Sequence, residues 1–280
     1  MRIVISPDDE AVADYVSEYI IKKIIDFGPS SERPFVIGLP TGSSPLKTYQ
    51  RLVKAYRDGR ISFRNVVTFN MDEYVGLPRD HPQSYYYFMK HNFFDHVDIP
   101  EQNRNLLNGT AADLVAECRM YEEKIAAVGG VELFLAGVGT DGHLAFNEPG
   151  SSLESLTRVK SLNQETITSN ARFFDNDIRK VPTMALTVGI RTVMNARNVV
   201  VVATGAGKAV PVAHCVEGSV THAHPITALQ LHPAAVLCVD EDATLELKVK
   251  TVRYFKGLLE REEEFERLQS SVESEAPPPK

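Results

Sequence analysis

Short apolar runs alternate with helical patterns along this chain, and this alternation constrains the fold more than any other feature. Seven runs rich in Val, Ile, Leu and Phe predict buried strands. They are Arg2–Ser6, Phe35–Leu39, Val66–Asn70, Val131–Ala136, Met184–Val188, Asn198–Ala203 and Ala235–Val239. Because the runs are continuous rather than alternating apolar with polar, they indicate a sheet that is covered on both faces.

Apolar side chains spaced by four residues predict helices between these strands. The predicted helices are Asp8 to Phe27, Pro45 to Tyr56, Asp113 to Val128, and a last one from near Asp242 to beyond Leu259. Alternating strands and helices predict an α/β fold, a Rossmann-like open sheet, mostly parallel, with helices on both faces. We expect residues 1–259 to form a single domain, followed at 260–280 by a charged helix end and a disordered tail.

Composition excludes several classes of protein. The formal net charge of -7 argues against a general nucleic-acid binder. No apolar run approaches the roughly 20 residues of a membrane helix, and Pro7 and Asp8 directly follow the short apolar start, unlike a signal peptide. The 3 cysteines are far apart, so we expect no disulfide, a reducing compartment and a cytoplasmic location.

Four loops directly follow predicted strands, where open α/β sheets bind their ligands. They are Pro40 to Pro45, Met71 to Tyr74, Gly137 to Gly150, and Gly205 to Lys208. The first contains Thr41, Gly42, Ser43 and Ser44 before a helix start, a composition that suits a phosphate but also occurs in ordinary capping loops. The Gly-rich turn that ends in Lys208 lacks the full P-loop spacing, so it predicts either an anion site or a surface turn.

Acidic residues and one histidine in these loops suggest proton transfer. Asp72 and Glu73 are either a solvated pair or, if buried beside Met71, a carboxylate with a raised pKa that makes a better base. In the longest loop, Asp141 and Glu148 bracket His143, which is typical of a proton shuttle. A structural histidine or a metal ligand remains open, although no further His or Cys nearby would complete a metal shell.

Arg172 lies beside two aromatic residues, in the run Ala171-Arg172-Phe173-Phe174-Asp175. It could clamp a phosphate through two hydrogen bonds, or its stem could cover the edge of the core. The local sequence does not decide between these roles.

Long motifs in these loops resemble the glucosamine-6-phosphate deaminase family. They are Leu39-Pro40-Thr41-Gly42, the run from Phe69 to Pro78, the run from Gly139 to Pro149, Ala171 to Asp175, and Leu245 to Val252. The likeness extends from about Arg2 to about Leu258. It implies hydrolytic deamination and isomerisation of an amino-sugar phosphate, within amino-sugar catabolism, and neither a metal nor another cofactor.

The resemblance also implies roles for the residues. Asp72 would move a proton between C2 and C1, and His143 would open the sugar ring, held by Asp141 and Glu148. The substrate phosphate would bind Ser43, Ser44, Arg172 and Lys208, next to Thr41 and Gly42 in the substrate site. These roles agree with the separate interpretation of each loop.

Family members are often homohexamers activated by N-acetylglucosamine 6-phosphate. The side chains similar to that effector site are Ser151, Ser152, Arg158, Lys160 and Tyr254, together with the Met1 amino group. Two departures from the family pattern are Ala223-His224-Pro225, in place of Met-Trp-Thr, and Arg191, in place of a glycine. Both lie outside the loops that carry the chemistry.

Two alternative functions remain. A sugar-phosphate isomerase or a 6-phosphogluconolactonase of similar fold would also bind a sugar phosphate, since fold alone does not define function. A non-catalytic sugar-phosphate sensor would need no acid–base residues, but such sensors normally carry a basic helix-turn-helix, and the sequence shows none.

Overall fold

The computed structural model describes residues 1–261, and every helix and strand named below belongs to that part of the chain. Its strands are β1 (Arg2–Ser6), β2 (Phe35–Leu39), β3 (Val66–Asn70), β4 (Asp72–Tyr74), β5 (Arg104–Asn105), β6 (Leu133–Gly137), β7 (Arg158–Ser161), β8 (Met184–Thr187), β9 (Asn198–Ala203) and β10 (Ala235–Asp240). Its α-helices are α1 (Asp9–Phe27), α2 (Leu46–Arg57), α3 (Tyr85–Asn92), α4 (Leu114–Ala127), α5 (Gln164–Asn170), α6 (Ile190–Met194), α7 (Ala209–Glu217) and α8 (249–261).

Seven strands form the main sheet in the order β1-β10-β9-β6-β2-β3-β5. Every neighbouring pair is parallel, so each connection must cross over the sheet through the helices. Alternate residues of β6 show that both faces are covered. Leu133 and Leu135 pack with α1 and α2, whereas Phe134 and Ala136 pack with α4 and α7. The predicted parallel α/β fold is confirmed.

A second, antiparallel sheet has the order β4-β8-β7. The prediction that Met184–Val188 belongs to the parallel sheet is therefore wrong, because this segment forms β8 between two short strands. Thr187 pairs with Asp72 on one side and with Arg158 on the other, so these three residues form one row across the sheet. The row connects the end of β3 with the segment that follows the longest loop.

Two predicted boundaries also change. The first residues of the predicted strand Val131–Ala136 precede β6, which begins at Leu133. The last helix does not begin near Asp242, because a short 3₁₀ turn at Asp242–Thr244 comes first and α8 starts at residue 249. The predicted tail lies almost wholly outside the described residues. No helix within residues 1–261 combines the length and apolarity needed to cross a bilayer.

Candidate active site

A cavity of about 490 Å³ opens at the carboxyl ends of β9, β6, β2 and β3, which are four adjacent strands of the main sheet. Nine of the predicted site residues line it: Thr41, Gly42, Ser43, Ser44, Asp72, Asp141, His143, Arg172 and Lys208. They come from all four post-strand loops and from the segment after α5. The parallel sheet brings these loops together because the carboxyl ends of its strands share one edge.

Asp72 is a buried carboxyl group in the wall of this cavity, only 8% exposed. Among the described residues, its Oδ1 atom has no hydrogen-bond partner. Burial raises the pKa of Asp72 to about 8, and the neighbouring Glu73 adds to the shift through charge repulsion. A carboxylate with so high a proton affinity can both take up and return a proton near neutral pH.

Glu73 does not line the cavity and instead binds the first residues of α3. Its carboxylate accepts the backbone N–H groups of Tyr74, Tyr85 and Tyr86 at 2.9–3.0 Å. Burial raises the pKa of Glu73, while these three N–H groups favour its ionised form. Asp72 is thus the candidate base, and the adjacent Glu73 is a buried carboxyl group that acts on it.

Asp141 and His143 form a pair in the cavity wall. His143 Nδ1 lies 2.6 Å from Asp141 Oδ1, and the backbone N–H of His143 donates to the same oxygen at 3.1 Å. Burial acts to raise the pKa of Asp141, but its contacts with His143 outweigh burial, and the pKa lies below its ordinary value. The imidazole packs so closely on Gly139 that a Cβ there would lie 2.1 Å from the ring. Glycine at 139 is thus required for the histidine to occupy this position.

Two cations, Arg172 and Lys208, also line the cavity. Burial lowers the pKa of Lys208, and the nearby Arg172 lowers it further. Within residues 1–261, neither cation forms a salt bridge with a carboxylate, so both charges remain available to an anion. Ser43 and Ser44 line the same cavity just before α2, where free N–H groups and the helix dipole favour negative charge.

Glu148 does not line the cavity, and within the described residues no hydrogen bond or ion pair joins it to His143. The expected arrangement, in which Glu148 holds that histidine, is therefore not present in this structure. Its buried carboxylate instead accepts the Thr166 hydroxyl at 2.6 Å and the backbone N–H of Asn163 at 3.0 Å. Because Asn163 and Thr166 lie at the start of α5, Glu148 connects the longest loop to that helix.

The five side chains similar to an effector site are only partly together. Arg158 and Lys160 lie two residues apart on β7 and thus on one face, downstream of Ser151 and Ser152. Arg158 donates to the side-chain oxygen of Asn147 at 2.8 Å. Tyr254 lies on α8 with 62% of its surface exposed, and within residues 1–261 no hydrogen bond joins it to the other four.

Sequence reasoning missed several residues of the cavity wall, namely Tyr85, Phe146, Glu165, Thr166, Ser169 and Asn170. Most belong to α3 and α5, which follow no strand of the main sheet and carry no Gly-rich motif. A usable signal existed for Tyr85, because Ser84 caps α3 and so places the next residue at a helix start. Across residues 1–261, no group of three or more His, Cys, Asp or Glu could hold a metal ion.

Comparisons with known proteins show which family this chain is similar to. Residues 7–238 match the family described as glucosamine-6-phosphate isomerases/6-phosphogluconolactonase. The chain is 57% identical to a glucosamine-6-phosphate deaminase of Tolumonas auensis, over 92% of this chain and 97% of that protein. It is 56% identical to human glucosamine-6-phosphate deaminase 1, over 92% of this chain and 90% of the human protein.

Solved structures show the same fold. A monomeric glucosamine-6-phosphate deaminase matches with a TM-score of 0.84 and 35% identity, over 88% of this chain and 100% of that one. A 6-phosphogluconolactonase from Trypanosoma cruzi matches with a TM-score of 0.71 and 21% identity, over 88% and 97% of the two chains, which shows the shared fold alone. From the family match and these relatives, we conclude that the chain belongs to the family of glucosamine-6-phosphate isomerases and 6-phosphogluconolactonases.

Proposed function

We propose that this protein converts glucosamine 6-phosphate and water into fructose 6-phosphate and ammonia by acid–base catalysis. The observation that carries the proposal is one cavity that holds a buried carboxyl group with a raised pKa, a paired histidine and two cations that lack a carboxylate partner in the described part of the chain. The deaminases that are 56–57% identical over most of their length support the same choice of substrate.

The phosphate group of the substrate binds Arg172 and Lys208, with Ser43 and Ser44 at the start of α2. Two cations and a helix N-terminus give charge-assisted hydrogen bonds to a dianion. The lowered pKa of Lys208 reflects burial and the nearby guanidinium, and a bound phosphate would relieve that repulsion. Thr41 and Gly42 lie next to this group and contact the sugar.

His143 opens the pyranose ring. Ring opening moves a proton from O1 to O5, and an imidazole suits this step because it can accept one proton and donate another. Asp141 orients the ring through the 2.6 Å contact at Nδ1, which leaves Nε2 for the substrate. Glu148 acts on this group from a distance, through the loop and α5, rather than by direct contact with the imidazole.

Asp72 then performs the isomerisation. It removes the proton from C2 of the open aldehyde form, which gives an enolamine, and returns the proton to C1. The product is an imine at C2. Water adds to that carbon, the C–N bond breaks, and ammonia leaves as the ketone forms. The isomerisation moves protons only, whereas the hydrolysis forms a C–O bond to water and breaks the C–N bond. Each positioned acid or base contributes about 10²–10⁴-fold to the rate.

The lactonase alternative is disfavoured by the same residues. Hydrolysis of a lactone needs a base that activates water but no group that carries a proton between two carbons. A base with a pKa of about 8, buried away from solvent, suits abstraction of a carbon-bound proton. A sensor would not require this group at all.

The test measures ammonia and fructose 6-phosphate with the purified full chain. We expect both products from glucosamine 6-phosphate, very little from unphosphorylated glucosamine, and undiminished turnover after exhaustive chelation of metals. Asp72→Asn should lower kcat about 10²-fold or more, because the amide cannot accept the proton. Hydrolysis of 6-phosphogluconolactone without ammonia release would favour the alternative, and an unchanged kcat in Asp72→Asn would reject the assigned base.

Further proposals concern regulation and assembly. We infer an effector site for N-acetylglucosamine 6-phosphate at Ser151, Ser152, Arg158 and Lys160, with Tyr254 from α8. Burial lowers the pKa of Arg158, and a bound phosphate would offset that cost. We also propose a homohexamer in the cytoplasm, with residues 1–259 as one domain. The solved relative described as monomeric makes the assembly a property to be measured for this chain.

A further inference from the structure

Asp240 is a buried carboxylate that the proposed mechanism does not use. It ends β10, next to β9 in the sheet, and it is 6% exposed. Both of its carboxylate oxygens accept the backbone N–H of Gly205 at 2.9 Å, and Oδ1 also accepts the N–H of Ala243 at 2.9 Å. Burial of a carboxylate is costly unless strong hydrogen bonds compensate for it. The bonds to Asp240 therefore hold the backbone N–H groups that donate them.

Gly205 is the hinge of the turn that carries Lys208. Its backbone has φ 84° and ψ 157°, a conformation that is essentially confined to glycine. The carbonyl of Gly205 accepts the backbone N–H of Lys208 at 2.9 Å, which closes the turn. Both polar backbone groups of Gly205 therefore have a partner. Its N–H donates to Asp240, and its carbonyl accepts the N–H of Lys208.

From these contacts we infer that Asp240 is a positioning residue for phosphate recognition, which acts through Gly205 to place Lys208 in the cavity. The inference rests on the proposed role of Lys208. Without the carboxylate, the glycine-only conformation would lose its partner, and the lysine would sample positions outside the cavity. Asp240 itself does not line the cavity.

The sign of the effect separates positioning from simple electrostatics. A sugar phosphate is an anion, so removal of any nearby negative charge strengthens its binding if the charge acts only through the field. Removal of the Asp240 charge weakens binding if the carboxylate acts by holding the turn. Asp242 provides the matched control. It is an exposed acid that lines one surface pocket together with Asp240, and within residues 1–261 it makes no hydrogen bond to Gly205.

The experiment compares Asp240→Asn, Asp242→Asn and Lys208→Ala in the full chain. We measure KM and kcat with glucosamine 6-phosphate and the affinity for inorganic phosphate by calorimetry. Asp240→Asn should raise KM about tenfold or more, with a parallel loss of phosphate affinity, because it removes hydrogen bonds to a charged acceptor. We expect the kcat of Asp240→Asn to stay within about twofold of the unmodified value. Asp242→Asn should bind phosphate with unchanged or slightly higher affinity.

A double variant locates the effect. Asp240→Asn should add little to the KM of Lys208→Ala if both act through the lysine. Additive effects, or an unchanged KM in Asp240→Asn, would overturn the inference while leaving the phosphate role of Lys208 intact. An unchanged KM in Lys208→Ala would instead reject that role in the proposed function.

Folding is checked by thermal unfolding of each variant. Asp240→Glu keeps the charge but displaces it by one methylene, and Gly205→Ala keeps Asp240 but disfavours the turn, with no atom near the added Cβ. If Asp240→Asn does not fold, these two variants must show the raised KM with kcat preserved. Unchanged KM values in both would contradict the inference.

Discussion

The surroundings of Asp72 in the fold set its proton affinity. Burial is the larger cause of its raised pKa, and the neighbouring charge of Glu73 is the second. Glu73 is itself held by three backbone N–H groups, so its carboxyl group is fixed in position beside Asp72. Strand β4 therefore sets the strength of the base as well as its location.

This arrangement predicts a pH dependence. Asp72 must be ionised to accept a proton, so kcat/KM should fall as the pH decreases through about 8. Glu73→Gln keeps an acceptor oxygen but removes the repelling charge, which makes the anion of Asp72 less costly and lowers its pKa. The acid limb of the profile should then move to lower pH.

The measurement is kcat/KM for glucosamine 6-phosphate across pH 5–10, in constant ionic strength. Glu123→Gln serves as the control, because Glu123 is an exposed carboxylate on α4 with 66% of its side chain accessible. An acid limb that stays in place in Glu73→Gln would show that the neighbouring charge does not tune the base.

Helix α5 forms part of the cavity wall, and Glu148 anchors its first turn. It contributes Glu165, Thr166, Ser169 and Asn170 to the cavity wall and leads directly to Arg172. Glu148 holds its first turn through the Thr166 hydroxyl and the Asn163 N–H. A hydrogen bond to a charged group contributes about 1.5–3 kcal/mol, so loss of one contact should measurably loosen this helix.

Thr166→Val removes the hydroxyl and preserves the shape of the side chain. We expect a KM several-fold higher for glucosamine 6-phosphate and faster amide hydrogen exchange over residues 163–170, because α5 and Arg172 lose an anchor. Thr168→Val is the matched control on the same helix, since Thr168 is exposed. Equal exchange rates in the two variants would show that the Thr166 contact does not hold α5.

Local sequence patterns predict the elements of this fold better than their pairing. Continuous apolar runs identify β1, β2, β3, β9 and β10 because these strands are buried on both faces. The same patterns miss strands β4, β5 and β7, since these have two to four residues and are largely polar. The pairing of β8 with β4 depends on contacts about 110 residues apart in sequence, which no local pattern encodes.

The candidate site divides in the same way. Asp72, His143 and Lys208 follow strands directly, so the geometry of a parallel sheet predicts that they converge. The partners of Glu148 cannot be predicted, because they depend on where α5 packs after a long excursion of the chain. The predicted start of α8 is about seven residues too early, since Ala243 and Leu247 are buried and continue an apolar pattern through a 3₁₀ turn.

At the scale of the whole molecule, the small sheet β4-β8-β7 places the proposed effector cations near the proposed base. Asp72, Thr187 and Arg158 share one row, and neighbouring strands lie about 4.8 Å apart, so only two strand spacings separate Asp72 from Arg158. Arg158 also contacts Asn147, whose side-chain N–H donates to Leu144 and Val188. A molecule bound at β7 thus lies one hydrogen bond from the loop of His143.

An effector at this site should lower the substrate concentration that gives half-maximal rate. The effector acts only if it binds one of two conformational states of the protein more tightly. The shift should therefore vanish when nearly all of the protein already occupies that state. Substrate titrations with and without N-acetylglucosamine 6-phosphate test this, with Lys160→Ala expected to abolish the shift. Lys54→Ala is the control, since Lys54 is an exposed cation on α2. Superimposable curves for the unmodified protein would mean that the residues are present without the regulation.

All 3 cysteines of the chain are buried. Burial raises the pKa of the Cys118 thiol to about 11 and the pKa of the Cys215 and Cys238 thiols to about 12. At neutral pH these thiols carry almost no thiolate, which is the species that reacts with maleimides and disulfides. The native cysteines should therefore not react with thiol labels. A single cysteine introduced on the surface of α5 would carry the only fluorophore, which would report the position of that helix alone.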